Sequence, residues 1–203
     1  MDQLLPREQR EIAPGAVHVP DFLTLADQRD LVARCREWAH APTPMAAPVL
    51  PSGGRMSVKI VCLGWRWVPY RYTREGAAPF PDEILGALGR RALGDPRYRP
   101  DAALINFYDE HARMGMHRDR EERCDAPVVS LSIGDSAIFR FGNPETRGRP
   151  YTDVELCSGD LFVFGGPSRY AYHGVPRILP GTGDPATGLR GGRLNITLRV
   201  TGL

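Results

Sequence analysis

Lysine is all but missing from this chain of 203 residues: Lys59 is the only one, and every other basic side chain that is permanently charged is an arginine. Coding bias toward arginine is the plainest source. Arginine suits bidentate phosphate contacts, but here the arginines are spread along the chain, and the net charge is only +2. That balance permits a polyanionic partner and does not require one. Cysteine pairs are absent as well. Cys35, Cys62, Cys124 and Cys157 are far apart and form no C-x-x-C motif, which excludes a zinc ribbon and a dense disulfide framework. No apolar run approaches the length of a membrane span, so no membrane partner is expected. The opening stretch MDQLLPREQREIAPG has neither a basic lead nor an apolar core. It does not read as a secretory signal, and a cytoplasmic location is expected. No Ser/His/Asp arrangement for nucleophilic catalysis stands out.

What remains is an ordinary globular composition, 42% apolar and 25% charged, long enough for one domain spanning residues 1–203. Thr24-Leu25-Ala26-Asp27 reads as a capping box, with Asp in place of the usual Glu or Gln. Leu31, Val32, Cys35, Trp38 and Ala39 then recur on one helical face. The Pro- and Gly-bearing stretch 41–54 ends that helix. A second amphipathic helix is expected over Asp82–Ala92, with Ile84, Leu85, Leu88 and Ala92 inward.

Beyond Ala102 the character changes to short apolar or alternating runs. These are Leu104–Tyr108, Val128–Ile133, Ala137–Phe141, Tyr151–Leu156, Leu161–Phe164, Ala171–Val175 and Arg193–Val200, with Gly, Asn, Asp and Pro between them. Strands at this spacing predict a sandwich or barrel, with helices supplied by the N-terminal part. The Gly-rich segment 180–192 reads as a mobile loop.

Three features in this half carry chemistry. In His117-Arg118-Asp119, residues two apart point to the same side of an extended segment, so the imidazole and carboxylate can grip one object. His173 closes another predicted strand. Two histidines and a carboxylate form the facial triad of non-haem Fe(II) oxygenases, which leaves metal positions open for co-substrate and O2. Taken alone, an H-x-D is weak evidence, because such pairs arise by chance. The third feature is the strict alternation from Arg193 to Val200. Leu194, Ile196, Leu198 and Val200 take one face, and Arg193, Asn195, Thr197 and Arg199 the other. An isolated strand of this kind usually has a solvated polar face. Inside a small barrel that face lines a pocket, and buried arginines there need an anion. At about 3.3 Å per residue the two backbones lie about 20 Å apart, so side chains reaching inward from both ends could bracket a short dicarboxylate such as 2-oxoglutarate.

With these residues in place the chain resembles the AlkB family of nucleic acid dealkylating dioxygenases. The likeness rests on Leu104-Ile105-Asn106-Phe107-Tyr108, His117-Arg118-Asp119, Ser130-Leu131-Ser132-Ile133-Gly134 and Ala137-to-Gly142. It continues through Ser158-Gly159-Asp160, Gly165-to-Arg169, Tyr172-His173-Gly174 and the Arg193-to-Arg199 run. It extends N-terminally to Ala13-to-Val17, Met56-Ser57-Val58 and Leu63-Gly64-Trp65. The resemblance implies a mainly β fold with flanking helices: a double-stranded β-helix (jelly-roll) core over residues 98–203, carrying an N-terminal helical and nucleotide-recognition extension over residues 13–75. It implies that His117, Asp119 and His173 hold Fe(II) as the catalytic centre. Asn106, Tyr108, Arg193, Asn195 and Arg199 would hold 2-oxoglutarate, with Arg199 on its distal carboxylate and Arg193 near the iron-bound end. Trp65 would stack on the damaged base opposite His117. Tyr70, Tyr72, Glu121 and Arg147 (or Arg149) would contact substrate.

The implied activity is oxidative demethylation of 1-methyladenine- or 3-methylcytosine-type lesions in DNA or RNA, consuming O2 and releasing an aldehyde, succinate and CO2. A monomer acting on single strands is expected. There are departures from the best-known bacterial members. Glu121 stands where they have Asp, and the Met56–Trp65 and Trp65–Tyr70 spacings are shorter. Three rivals stay open: an oxygenase of a protein or small-molecule substrate, a non-catalytic nucleic-acid-binding module, and a zinc-dependent cupin-like hydrolase or isomerase.

Overall fold

The structure, a computed structural model, describes residues 6–203; Met1–Leu5 of the opening stretch lie outside them. Its strands are β1 (Arg10–Ala13), β2 (Ala16–Val19), β3 (Lys59–Leu63), β4 (Arg66–Val68), β5 (Arg71–Thr73), β6 (Ala102–Tyr108) and β7 (Met114–His117). They continue with β8 (Val128–Gly134), β9 (Ser136–Phe141), β10 (Thr152–Leu156), β11 (Leu161–Phe164), β12 (His173–Leu179) and β13 (Arg193–Arg199). Two helices, α1 (Leu25–Trp38) and α2 (Ala87–Leu93), complete the described elements with a few short turns.

A seven-stranded sheet runs β1-β2-β11-β8-β13-β6-β3 and a four-stranded sheet β10-β9-β12-β7, while β4 and β5 form a separate hairpin. From β6 onward the chain passes back and forth between the two larger sheets, with every pairing antiparallel, which is the jelly-roll. The N-terminal strands β1, β2 and β3 widen the larger sheet on both flanks.

Period-two alternation makes two cores from that larger sheet. Val129, Leu131, Ile133, Leu194, Ile196 and Leu198 point outward beneath the helices, where they meet Leu31, Val32, Cys35 and Leu85. The opposite faces of the same strands point between the sheets, among Leu104, Phe139, Phe141, Phe162 and Phe164. Each such side chain taken fully out of water contributes roughly 1.5–3 kcal/mol before entropy is subtracted.

Helix α1 begins as its sequence signals. Thr24 accepts from the Asp27 amide and the Asp27 carboxylate accepts from the Thr24 amide, both at 3.1 Å. The second helix starts at Asp82 as expected, but its first turn, Asp82–Gly86, is wound wider than an α-helix before α2 follows. β6 begins two residues earlier than expected, at Ala102, and β12 begins two residues and ends four residues later, running His173–Leu179 and not Ala171–Val175. A turn closed by the Ala171 amide on the Ser168 carbonyl takes up its start. Beyond Gly174 the pairing shifts register, and that bulge accommodates Pro176, which has no N–H to give the ladder. The 180–192 loop is tethered: Asp135 accepts from the amides of Gly183 and Gly192, both at 2.9 Å.

Removing the Thr24 cap by Thr24→Ala is expected to cost about 1 kcal/mol. Urea unfolding should show a lower midpoint with an unchanged slope.

Candidate active site

A cavity of about 310 Å³ opens between the two sheets. Its metal-ligand candidates come from the smaller sheet. His117 ends β7, His173 begins β12, and the two are cross-strand register partners with ring centroids 4.5 Å apart. Asp119 lies two residues beyond β7. One ligand atom from each of His117, Asp119 and His173 falls within 4.8 Å of the others. The Nδ1 atoms of His117 and His173 face the backbone carbonyls of Gly115 and Ala171, each at 3.0 Å. A carbonyl can only accept, so Nδ1 carries a proton in both rings, and in the neutral tautomer this selects, Nε2 is the atom with the lone pair. Those Nε2 atoms lie 3.8 and 3.7 Å from the Asp119 oxygens. That spacing is too long for a hydrogen bond and suited to a shared ion.

Electrostatics favour the ligand forms. Burial alone would raise the Asp119 pKa, but the Arg199 guanidinium, then His173 and His117, outweigh it and hold the carboxyl well below its usual range. Burial, reinforced by His117, pushes His173 down to about 4, so it is a neutral donor at physiological pH.

The opposite wall comes from the larger sheet. Asn106, Tyr108, Arg193, Asn195, Thr197 and Arg199 all line the cavity. The polar face of β13 is therefore buried, not solvated. Its centre is internally satisfied: Asn195 donates to Ser130 Oγ at 2.7 Å and accepts from Thr197 and Asn106. The two arginines differ. Arg199 sits at the metal end, with Nη2 2.9 Å from Asp119 Oδ2 and Nη1 2.9 Å from Glu122 Oε1. Arg193 lies at the far end over the Tyr108 ring, its guanidinium carbon 5.3 Å from the ring centroid. It donates once, to Ser132 Oγ at 3.0 Å, and its Nε and Nη1 are buried with no partner.

This ordering reverses the expected one. Arg193, not Arg199, is placed for a distal carboxylate, and Arg199 stands beside the metal ligand. The reason is strand direction: antiparallel pairing sets Arg193 against Tyr108 and carries Arg199 to Ala102, at the other end of β6. An unpaired, fully buried guanidinium is costly to maintain. It fits a dicarboxylate whose other end reaches the metal position.

Several expected substrate contacts also shift. Trp65 is not on the cavity wall; Trp67 is. Gly64, at φ +81°, turns the chain at the end of β3 with the Asp101 carbonyl close against its α-carbon. The Trp65 indole then donates to Asp101 Oδ2 at 3.1 Å, and Arg74 covers one face of its ring at 3.7 Å, which ties it away from the cavity. Tyr70 lines the mouth and is 67% exposed. Tyr72 instead is buried, donating to Glu122 Oε1 at 2.6 Å. Glu121 reaches the cavity and Arg147 does not; Arg147 lies 5.7 Å from the Tyr172 ring centroid at the surface. Arg149 likewise stays outside, near Tyr151.

Residues the sequence did not single out include Glu122 and Arg169. They form a buried pair at 3.1 Å, with Arg169 also donating to the carbonyls of Ala126 and Asp119. Nothing in the sequence marks buried Glu122 apart from its half-buried neighbour Glu121. Arg113 and Arg118, also on the cavity wall, were passed over for the same reason.

A jelly-roll with two histidines and a carboxylate at the mouth of a cation-floored cavity defines the non-haem iron oxygenase class. Residues 15–199 match the model of the 2OG-Fe(II) oxygenase superfamily. An AlkB homologue of Caulobacter vibrioides, an alpha-ketoglutarate-dependent dioxygenase, is 39% identical over 93% of this chain and 88% of its own length. The DNA N(6)-methyladenine demethylase ALKBH1D of Arabidopsis thaliana is 34% identical over 95% of this chain, which spans 50% of that longer protein. The solved structure of OsALKBH1 superposes with a TM-score of 0.85 at 31% identity, covering 95% of this chain and 99% of that one. The chain belongs to the AlkB family of 2-oxoglutarate- and Fe(II)-dependent oxygenases. Fe(II), 2-oxoglutarate and O2 are its cofactor and co-substrates.

Two outcomes test this geometry. Arg193→Met is expected to leave the ligand-free protein as stable as wild type or more so, because it removes an unpaired buried charge. Thermal melts should also lose the stabilisation that 2-oxoglutarate gives the wild type. The second concerns pH. An unfolded histidine takes its proton near pH 6.5, and folded His173 only near 4. The unfolded state binds more protons across that window, so metal-free stability should fall as pH drops from 6.5 to 4. His173→Gln should flatten that part of the profile.

Proposed function

We propose that this chain uses Fe(II), 2-oxoglutarate and O2 to remove N-alkyl groups from damaged nucleobases in DNA or RNA. It acts as a cytoplasmic monomer, and its preferred substrate is single-stranded. The observation that carries this is the pairing of the His117, Asp119 and His173 cluster with the unpaired Arg193 guanidinium in one cavity. The relatives' names place nucleic acid chemistry in the family.

His117, Asp119 and His173 would hold the metal through Nε2, a carboxylate oxygen and Nε2. Arg193 and Tyr108 would take the distal carboxylate of 2-oxoglutarate, with Asn195 and Asn106 beneath its chain and Arg199 at the keto-acid end. The bound metal supplies oxidation of the N-alkyl C–H bond by O2, coupled to conversion of 2-oxoglutarate into succinate and CO2; the hydroxylated alkyl group then leaves as an aldehyde. The chain's own part is placement. Trp67 and Tyr70 at the mouth offer π-faces to an alkylated, positively charged base. Glu121 offers a carboxylate to its exocyclic amine, and Arg113 and Arg118 offer cations to the flanking phosphates.

A target atom inside a duplex is out of reach of so enclosed a site, and extruding a base costs a few kcal/mol. This favours single strands. Scattered exposed apolar side chains, such as Leu25, Val49 and Tyr170, support a monomer. No helix among the described residues is long and apolar enough to cross a membrane.

The test is anaerobic loading with Fe(II) and 2-oxoglutarate, then air and single-stranded oligonucleotides carrying 1-methyladenine, 3-methylcytosine or N6-methyladenine. Mass spectrometry should show loss of one methyl group that requires both iron and 2-oxoglutarate. His117→Ala and Asp119→Ala should abolish it. Steady succinate production with every oligonucleotide unchanged would redirect the search to protein or metabolite substrates.

A further inference from the structure

We propose that Tyr72 is a positioning residue that latches the β4–β5 hairpin to the keto-acid end of the cavity through Glu122 and Arg199. The inference rests on reading that cavity as a 2-oxoglutarate site.

The hairpin pairs with neither of the two larger sheets. Its strands are three residues each, and a two-stranded ribbon of that length is not stable on its own. It nevertheless carries Trp67 and Tyr70 to the mouth. Thr73 bonds only the neighbouring Glu75 amide, and among the described residues Tyr72 is the hairpin side chain that hydrogen-bonds a distant part of the molecule. Its hydroxyl donates to Glu122 Oε1 at 2.6 Å and accepts from Arg199 Nη1 at 3.2 Å. Arg199 Nη1 donates to that same Glu122 oxygen at 2.9 Å, while Nη2 lies 2.9 Å from Asp119 Oδ2. One side chain, Arg199, therefore stands between Tyr72 and a candidate metal ligand.

The other partners in this cluster have further ties, which for Arg199 fix the backbone and leave the side chain to reorient. Glu122 is fixed from behind by Arg169 Nη2 at 3.1 Å, and Arg169 is itself tied to backbone carbonyls. Arg199 grows from a strand paired along both edges. The hairpin alone has no second anchor of this kind. Glu122 Oε1 has two donors, Tyr72 and Arg199. An incoming carboxylate at the keto-acid end competes with Glu122 for Arg199. As Arg199 turns toward it, the Tyr72 hydroxyl becomes the principal donor left to that oxygen, and the hairpin is held more tightly. The coupling is reciprocal: whatever tightens the hairpin must raise affinity for the co-substrate by the same factor.

Hydrogen exchange read by mass spectrometry, on protein loaded with Mn(II) so that no turnover occurs, tests this with and without 2-oxoglutarate. In the wild type, 2-oxoglutarate should slow exchange several-fold in residues 66–73 and also in β13. Tyr72→Phe removes one oxygen and keeps the ring's packing, so ligand-free exchange in β8 and β13 should match wild type and certify the fold. In that variant 2-oxoglutarate should still protect β13, the hairpin response should vanish, and affinity should fall about five- to ten-fold, within the usual range for a coupling of this kind. Hairpin protection equal in both proteins, with β13 responding, would overturn the latch and leave the 2-oxoglutarate site standing. No response to 2-oxoglutarate anywhere in the wild type would remove the site and the latch together.

Discussion

Two guanidinium groups are buried on one strand, and the rest of the site is organised around neutralising them. Strand β13 lies mid-sheet, hydrogen-bonded to β8 on one edge and β6 on the other, and both of its faces are covered. Its outward side chains are aliphatic and need nothing. Its inward side chains are polar and must find every partner inside the protein, since an unpaired buried charge costs several kcal/mol. Asn195 and Thr197 do so with Ser130 and with each other. Arg199 has its charge met by Asp119 and Glu122, though its Nε has no partner, and Glu122 in turn needs Arg169 and Tyr72. Arg193 finds a hydroxyl and an aromatic face but no anion. The imbalance at that one residue gives the cavity its appetite for a carboxylate.

The sandwich converts this electrostatic arrangement into a reaction geometry. The metal-ligand candidates sit on the smaller sheet and its edge, the groups proposed to bind the carboxylate on the larger sheet, and the cavity is the gap between them. A dicarboxylate anchored on one sheet would thereby be held against a metal position on the other. Asp119 joins the two systems, because its carboxylate faces both the imidazoles and Arg199. Its low pKa thus serves the ion-pair network and the metal position together.

Much of this was legible in the sequence, and the parts that were not share a cause. Alternation along Arg193–Val200 identified the polar face correctly, because side-chain parity is a local property of an extended chain. Which end of that face meets the metal is not local; it depends on how β13 pairs with β6, and the expected order of the two arginines was therefore inverted. Trp65 and Trp67 have the same parity, so only the turn at Gly64, which sends Trp65 to Asp101, could separate them. Glu121 and Glu122 are adjacent and chemically alike. Their different fates, one on the cavity wall and one buried against Arg169, follow from tertiary packing alone. β7 escaped notice because Met114–His117 is short and contains Gly115, leaving no alternation to read.

The same contrast between local and tertiary control explains why the mouth and the floor are built differently. A floor that must hold two buried cations in register needs a strand fixed on both edges, and β13 is such a strand. A mouth that must admit a group as large as a nucleobase cannot be fixed in that way without closing the site. The aromatic side chains at the mouth accordingly ride on a hairpin of two three-residue strands outside both sheets, with half-buried residues along β4. Low local stability is what a moving wall requires. Its cost is imprecision, and the remedy is one strong contact where the hairpin meets the floor. Tyr72 supplies it, and the partner it reaches, Glu122, is already held rigid by the need to neutralise Arg199. The demand created by a buried cation thus also gives the loosest part of the site its point of attachment.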